Sequence, residues 1–219
     1  MAIEMKSTHT QTVILTAIVG AAFVSATSAG IINAGGDAVI ADPPSNILHN
    51  QWENNSEIRA WFERETTLTQ DIHLGHSQSG LVDDLSQLDG NTVTSGTQVQ
   101  SYMIRLDPVG QGPVTLSGYL TFDTEILGVY IGSQLVPTDA IFGRSGVVYN
   151  ANPFRGLELD GALVSNDTFE ISQDLMRIDF TMEVGDWTDD IRVITAVPTP
   201  GSVGVLAAGL FAATRRRRG

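Results

Sequence analysis

Asp71, His73 and His76 form the cluster whose composition most resembles a transition-metal site. On a strand Asp71 and His73 share a face, and Gly75 lets the backbone bend and bring His76 round to them. Imidazole with carboxylate suits zinc or a similar ion, but a closed site needs further ligands and partners that orient them. His49 is the only other histidine between residues 30 and 197. Oxygen ligands are more plentiful. Asp83, Asp84, Asp89 and Asn91 share one polar loop, and Asp186, Asp189 and Asp190 precede the last apolar run. Calcium takes roughly six to eight oxygens from carboxylates, carbonyls and water, so it is the cation this composition admits, although neither segment follows the EF-hand loop with its closing Glu. Both segments read as ordinary acidic loops: no metal or other cofactor is assigned, with bound structural calcium as the alternative.

Catalytic patterns are weaker still. Gly75-His76-Ser77-Gln78-Ser79-Gly80 approaches the nucleophile elbow G-x-S-x-G, but Ser79 stands where the second glycine belongs. The elbow also needs a strand before it, a helix after it and a large α/β sheet beneath, so a polar turn is expected here. Acidic residues are so abundant that a pair suited to glycoside hydrolysis says nothing without its separation across a cleft. Glu158 and Asp160, alternating with Leu157 and Leu159, read as the solvated face of a strand. No catalytic residue is assigned. Trp52, Trp61, Trp187 and Tyr119 are the aromatics available to stack on sugar rings. Trp61 belongs to an apolar set and fits a core, whereas Trp187, within Gly185-Asp186-Trp187-Thr188, is the better exposed candidate.

The elements that must position these residues follow from periodicity. Ile58, Trp61 and Phe62, spaced i, i+3 and i+4, predict helical turns between Ile47 and Arg64. Val114, Leu116, Leu120 and Phe122 alternate with polar residues, as do Met176, Ile178, Phe180, Met182 and Val184, which predicts strands with one buried face. Further strands are expected at Thr67–His73, Gln98–Leu106, Ile126–Ile131, Val147–Tyr149, Leu157–Leu159, Thr168–Ser172 and Ile191–Thr195. Turn chemistry separates them at 108–113, at Pro137-Thr138-Asp139, at 150–153 and at Asn166-Asp167. About nine short strands at this spacing predict an all-β fold, a β-sandwich or jelly-roll-like domain with at most one or two short helices.

Composition limits what such a domain contacts. Of the 25 acidic residues only Glu4 lies outside 30–197, whereas Lys6 and Arg215 to Arg218 account for five of the 12 basic ones. The body therefore carries 24 acidic against 7 basic groups and no lysine, a net charge of about −17. That charge argues strongly against nucleic acid and anionic lipid as partners, because both are bound through Lys and Arg. It favours solubility, divalent cations or a saline environment. With no cysteine in the chain, no disulfide, thiolate site or cysteine nucleophile exists.

Two terminal segments read as addresses. Residues 1–29 carry Lys6 early, an apolar stretch from about Val13 to Val24 and small residues up to Ala29, the layout of a secretory signal peptide for signal peptidase, with cleavage after Ala26 or Ala29. At the other end come Pro198-Thr199-Pro200, the apolar run 201–214, and Arg215, Arg216, Arg217 and Arg218. Fourteen residues span roughly 21 Å as a helix, short of the ~30 Å hydrocarbon core, so a short hydrophobic helix there inserts transiently rather than as a permanent transmembrane helix. The arginines would stay on the cytoplasmic side.

This order of proline element, hydrophobic stretch and arginine cluster resembles the PEP-CTERM sorting signal of bacterial exosortase substrates. The resemblance implies that Pro198 and Pro200 stand for the two prolines, with Thr199 in place of the Glu between them, and that an exosortase-type membrane peptidase cuts the tail there. The body, at Ser101–Gly110, Gly118–Asp123, Ile126–Val129, Arg155–Leu159 and Asp190–Thr195, also resembles a recurring secreted domain found upstream of such tails, which implies a β-rich extracellular domain of no established activity. The expected organisation is a signal peptide at 1–29, a linker at 30–46, the secreted domain at 47–197 and the sorting signal at 198–219. The expected role is a non-enzymatic protein of the cell surface or an exopolysaccharide biofilm matrix. An extracellular polysaccharide hydrolase, or a carbohydrate- or calcium-binding surface module, is the alternative.

Overall fold

The computed structural model describes residues 30–110, 112–161 and 165–197. Both terminal hydrophobic segments, and with them Ala29, Pro198, Thr199, Pro200 and Arg215 to Arg218, lie outside the described residues. The strands run in chain order as β1 (Ile31–Gly36), β2 (Ala38–Ile40), β3 (Ile58–Thr67), β4 (Ile72–His73), β5 (Gly80–Val82), β6 (Thr92–Val93), β7 (Gln98–Leu106), β8 (Val114–Phe122) and β9 (Ile126–Tyr130). After one short helix, α1 (Leu135–Phe142), come β10 (Thr168–Ile171), β11 (Arg177–Val184) and β12 (Asp189–Ala196). The fold is an all-β sandwich. One five-stranded sheet has the order β1-β8-β11-β10-β5, the other β2-β3-β7-β12-β9, and β4 pairs with β6 apart from both. Pairing is antiparallel except between β2 and β3.

The main core lies between the two sheets. Leu120, Phe122, Phe169, Ile178, Phe180 and Met182 from the first sheet pack with Ile58, Tyr102, Ile104, Ile191 and Val193 from the second. Burial of one such side chain contributes roughly 1.5–3 kcal/mol. In the first sheet the alternation expected for β8 and β11 holds, with Ile178, Phe180, Met182 and Val184 buried and their neighbours on β11 only partly so. The second sheet is covered on both faces. Its outer face carries Leu68, Val99, Leu135, Phe142 and Ile194 in one apolar cluster and Ile47, Trp61 and Met103 in another.

Double coverage explains the main departure from the sequence reading. The predicted helical turns at Ile47–Arg64 are instead loop and then β3. Ile58, Ala60 and Phe62 pack against the main core and Trp61 against the outer cluster. The i, i+3, i+4 pattern thus arises from burial on both sides of a strand. The helix forms instead where Pro137-Thr138-Asp139 suggested a turn. Pro137 sits in the first turn of α1, where its missing N–H has no intrahelical partner to lose. Residues 30–46, expected as a linker, supply β1 and β2. Neither Val147–Tyr149 nor Leu157–Leu159 forms a strand; isolated bridges at Val148, Gly156 and Asp160 remain.

Candidate functional site

Strand alternation at the start of β12 sends two adjacent aspartates to opposite faces. Asp190 and Arg192 project to the outer face of the second sheet, Asp189 to the side of Ile191 and Val193 in the main core. Both aspartates are fully buried, but their surroundings differ.

On the outer face every buried charge meets an opposite one. Asp190 accepts from Arg105 Nη1 at 3.0 and 3.2 Å, and Arg155 Nη1 lies 3.7 Å away. Arg105 Nη2 also donates to Asp107 at 2.9 Å. Arg192 forks onto Glu63 at 2.7 and 2.9 Å and reaches Thr138 at 2.6 Å and Asp139 at 2.8 Å. Asp139 is shared with Arg155 at 2.6 Å, and the Tyr149 hydroxyl donates to Glu63 at 2.7 Å. Burial and the Glu63 charge push the Tyr149 hydroxyl far up, which keeps it a neutral donor. This layer fastens α1 and the 143–156 segment to the sheet.

Asp189 has no such partner. Its Oδ2 accepts no hydrogen bond, and its carboxyl lies with those of Glu158 and Asp167, one oxygen from each falling within 4.8 Å of the others. Two features of the backbone bring these segments together. Arg155 O accepts from Asp190 N at 3.0 Å and Gly156 bridges Asp190, which lays residues 155–160 beside the start of β12. Gly156 has no room for a side chain, because a Cβ would meet Gly132 N at 2.1 Å. Asp167, just before β10, accepts from Glu183 N at 2.6 Å and Glu158 N at 2.8 Å and so joins β11 to that segment. Asp167 is buried and Glu158 exposed, so the group opens to solvent at Glu158.

Electrostatics of the group follow from crowding. Burial, reinforced by the Asp167 and Glu158 carboxylates, holds the Asp189 carboxyl well above the usual range. Burial and Asp167 push Glu158 up to about 7. Asp167 is also raised by burial, against the pull of the backbone N–H groups of Glu183 and Glu158. Such a cluster can retain protons or accept a cation.

The other candidates are dispersed. His76 is buried, with Nε2 donating to Gln78 O at 2.9 Å and Nδ1 accepting from Asp89 N at 3.2 Å, so both ring nitrogens are used. Asp71 accepts from Ser95 N at 2.8 Å, and His73 lies exposed on β4. Ser77 bridges Asp89 and Asn91 as a turn residue. Asp84 caps a short 3₁₀ turn at Leu85–Gln87 and is held below the usual range by Ser86. Asp160 accepts from Ser165 N at 3.3 Å. Of the three aspartates at or just before the start of β12, Asp190 joins the arginines, Asp186 lines a different hollow and only Asp189 reaches the carboxylate group. Glu158, expected on a solvated strand face, belongs to that group instead.

Among the aromatics, Trp61 is buried and Trp52 packs edge-on against it, with Arg59 over its face. The face of Tyr119 is occupied by Arg177 at 3.7 Å. Trp187 stays 54% exposed and stacks on His49 with ring centres 4.9 Å apart. The two rings share a hollow of about 480 Å³ with Asn50, Glu53, Gly110 and Asp186. Glu158 borders another of about 310 Å³ with Leu85, Phe154 and Leu157, and it is the one carboxylate lining it.

Sequence reasoning missed Asp167, which had been assigned to a turn. Its signal was the Asn166-Asp167 pair directly before a strand, where an aspartate can bond neighbouring N–H groups. No family model, curated protein or solved structure matches this chain.

Proposed function

We propose that the chain is an exported, non-enzymatic module of a cell surface or extracellular polysaccharide matrix, directed there by residues 1–29 and processed at the proline element Pro198-Thr199-Pro200. The observation that carries this reading is the seat of Gly30, the residue that a cut after Ala29 would leave first. Gly30 N lies 2.8 Å from Asp123 Oδ1, so cleavage after Ala29 would place a new ammonium group on a carboxylate. The arginine-poor exterior suits a matrix rather than nucleic acid. The His49–Trp187 ledge, an exposed indole beside Glu53 and Asp186, is the surface we assign to a sugar chain.

Fractionation of the native host tests the proposal: the protein is expected in the surface and medium fractions. Retention in the cytoplasm would overturn it.

A further inference from the structure

We propose that Glu158, Asp167 and Asp189 bind one calcium ion at the end of the sandwich where β10, β11 and β12 converge. The inference does not depend on export. Three carboxyl groups from separate segments converge within 4.8 Å, and one of them, Asp189, is 2% exposed with an oxygen that no donor reaches. A buried carboxylate with one oxygen left unpaired is strongly unfavourable as an anion, so a proton or a cation must neutralise it. Among the described residues the buried cations are committed elsewhere. Arg105, Arg155 and Arg192 are engaged on the outer face of the second sheet by Asp107, Asp190, Asp139 and Glu63, and residues 30–197 contain no lysine.

The donor chemistry selects the ion. An all-oxygen set without imidazole or thiolate fits a hard cation. Calcium tolerates an irregular set completed by carbonyls and water, whereas magnesium demands near-octahedral geometry and gives up its waters reluctantly. Asp167 is aimed by the N–H groups of Glu158 and Glu183, the kind of support that fixes a ligating carboxylate. Exposed Glu158 leaves a route for the ion from solvent.

A bound ion would tie three segments with no other covalent or metal link: the 155–160 strip, the approach to β10 and the start of β12. Calorimetric titration of the full-length chain with calcium chloride, and its melting with and without the ion, test this. Expected are one ion per chain and a rise in Tm of roughly 5–10 °C at about 100 times the dissociation constant. Glu158→Gln, a change at an exposed position, should weaken binding at least the roughly tenfold that loss of a supporting residue costs. Asp189→Asn, which replaces a carboxyl by a near-isostere, should abolish the Tm response, and Glu170→Gln on the exposed sheet face should leave binding unchanged. Absence of binding up to millimolar calcium would overturn the proposal. So would titrations of Glu158→Gln matching the unsubstituted chain, since the ion would then be held diffusely by the acidic surface.

Discussion

Asp189 and Asp190 are neighbours in sequence and opposites in environment. Alternation along β12 gives Asp190 two arginines and Asp189 two acids. The sequence shows both aspartates and the strand that follows, but partner choice depends on which segment arrives at each face. Glu158 and Asp167 come from loops whose paths no periodicity records. A pH dependence follows at this scale. Glu158 is raised to about 7 from a usual value near 4.5, so in the metal-free protein the native state keeps a proton that the unfolded chain has released. Stability from this group is fully present below the unfolded value and is lost as pH rises through about 7. The metal-free chain should therefore melt higher at about pH 5.5 than at about pH 7.5. Relief of its general negative charge acts in the same direction, so the diagnostic result is a shallower slope in Glu158→Gln; equal slopes would contradict the assignment.

At the scale of elements, burial decides how a strand reads. Strands with one wet face, β8 and β11, declare themselves by alternation. Strands buried on both faces do not: β7, β9 and β12 were expected as strands all the same, whereas β3 mimics a helix. The covering layer is held by charges as well as by Leu135 and Phe142. Arg192 is 0% exposed and bonded to Glu63, Thr138 and Asp139. Its removal would leave Glu63 buried without a cation, while Asp139 keeps Arg155. Arg192→Ala should cost about 3–5 kcal/mol, read from urea denaturation. A loss below about 1 kcal/mol, the size of a surface pair, would show that the layer does not depend on it.

For the whole molecule, composition and packing act together. Three of seven arginines in 30–197 are buried, and five of the acids, Glu63, Asp107, Asp167, Asp189 and Asp190, are buried with them, which leaves 19 acidic against 4 basic groups outside the core, a net of about −15. All-β architecture and acidity were readable from the residues alone; the hollow at His49 and Trp187 was only half so, because Trp187 was expected to be exposed and its stacking on His49 was not. Whether the body stands between two removable ends is the central claim. The intact mass of the protein recovered from the surface of its native host measures both ends at once. The account predicts a chain that begins at Gly30 and stops within or just after Pro198-Thr199-Pro200. A mature surface form that still carries Arg215 to Arg218 would contradict it.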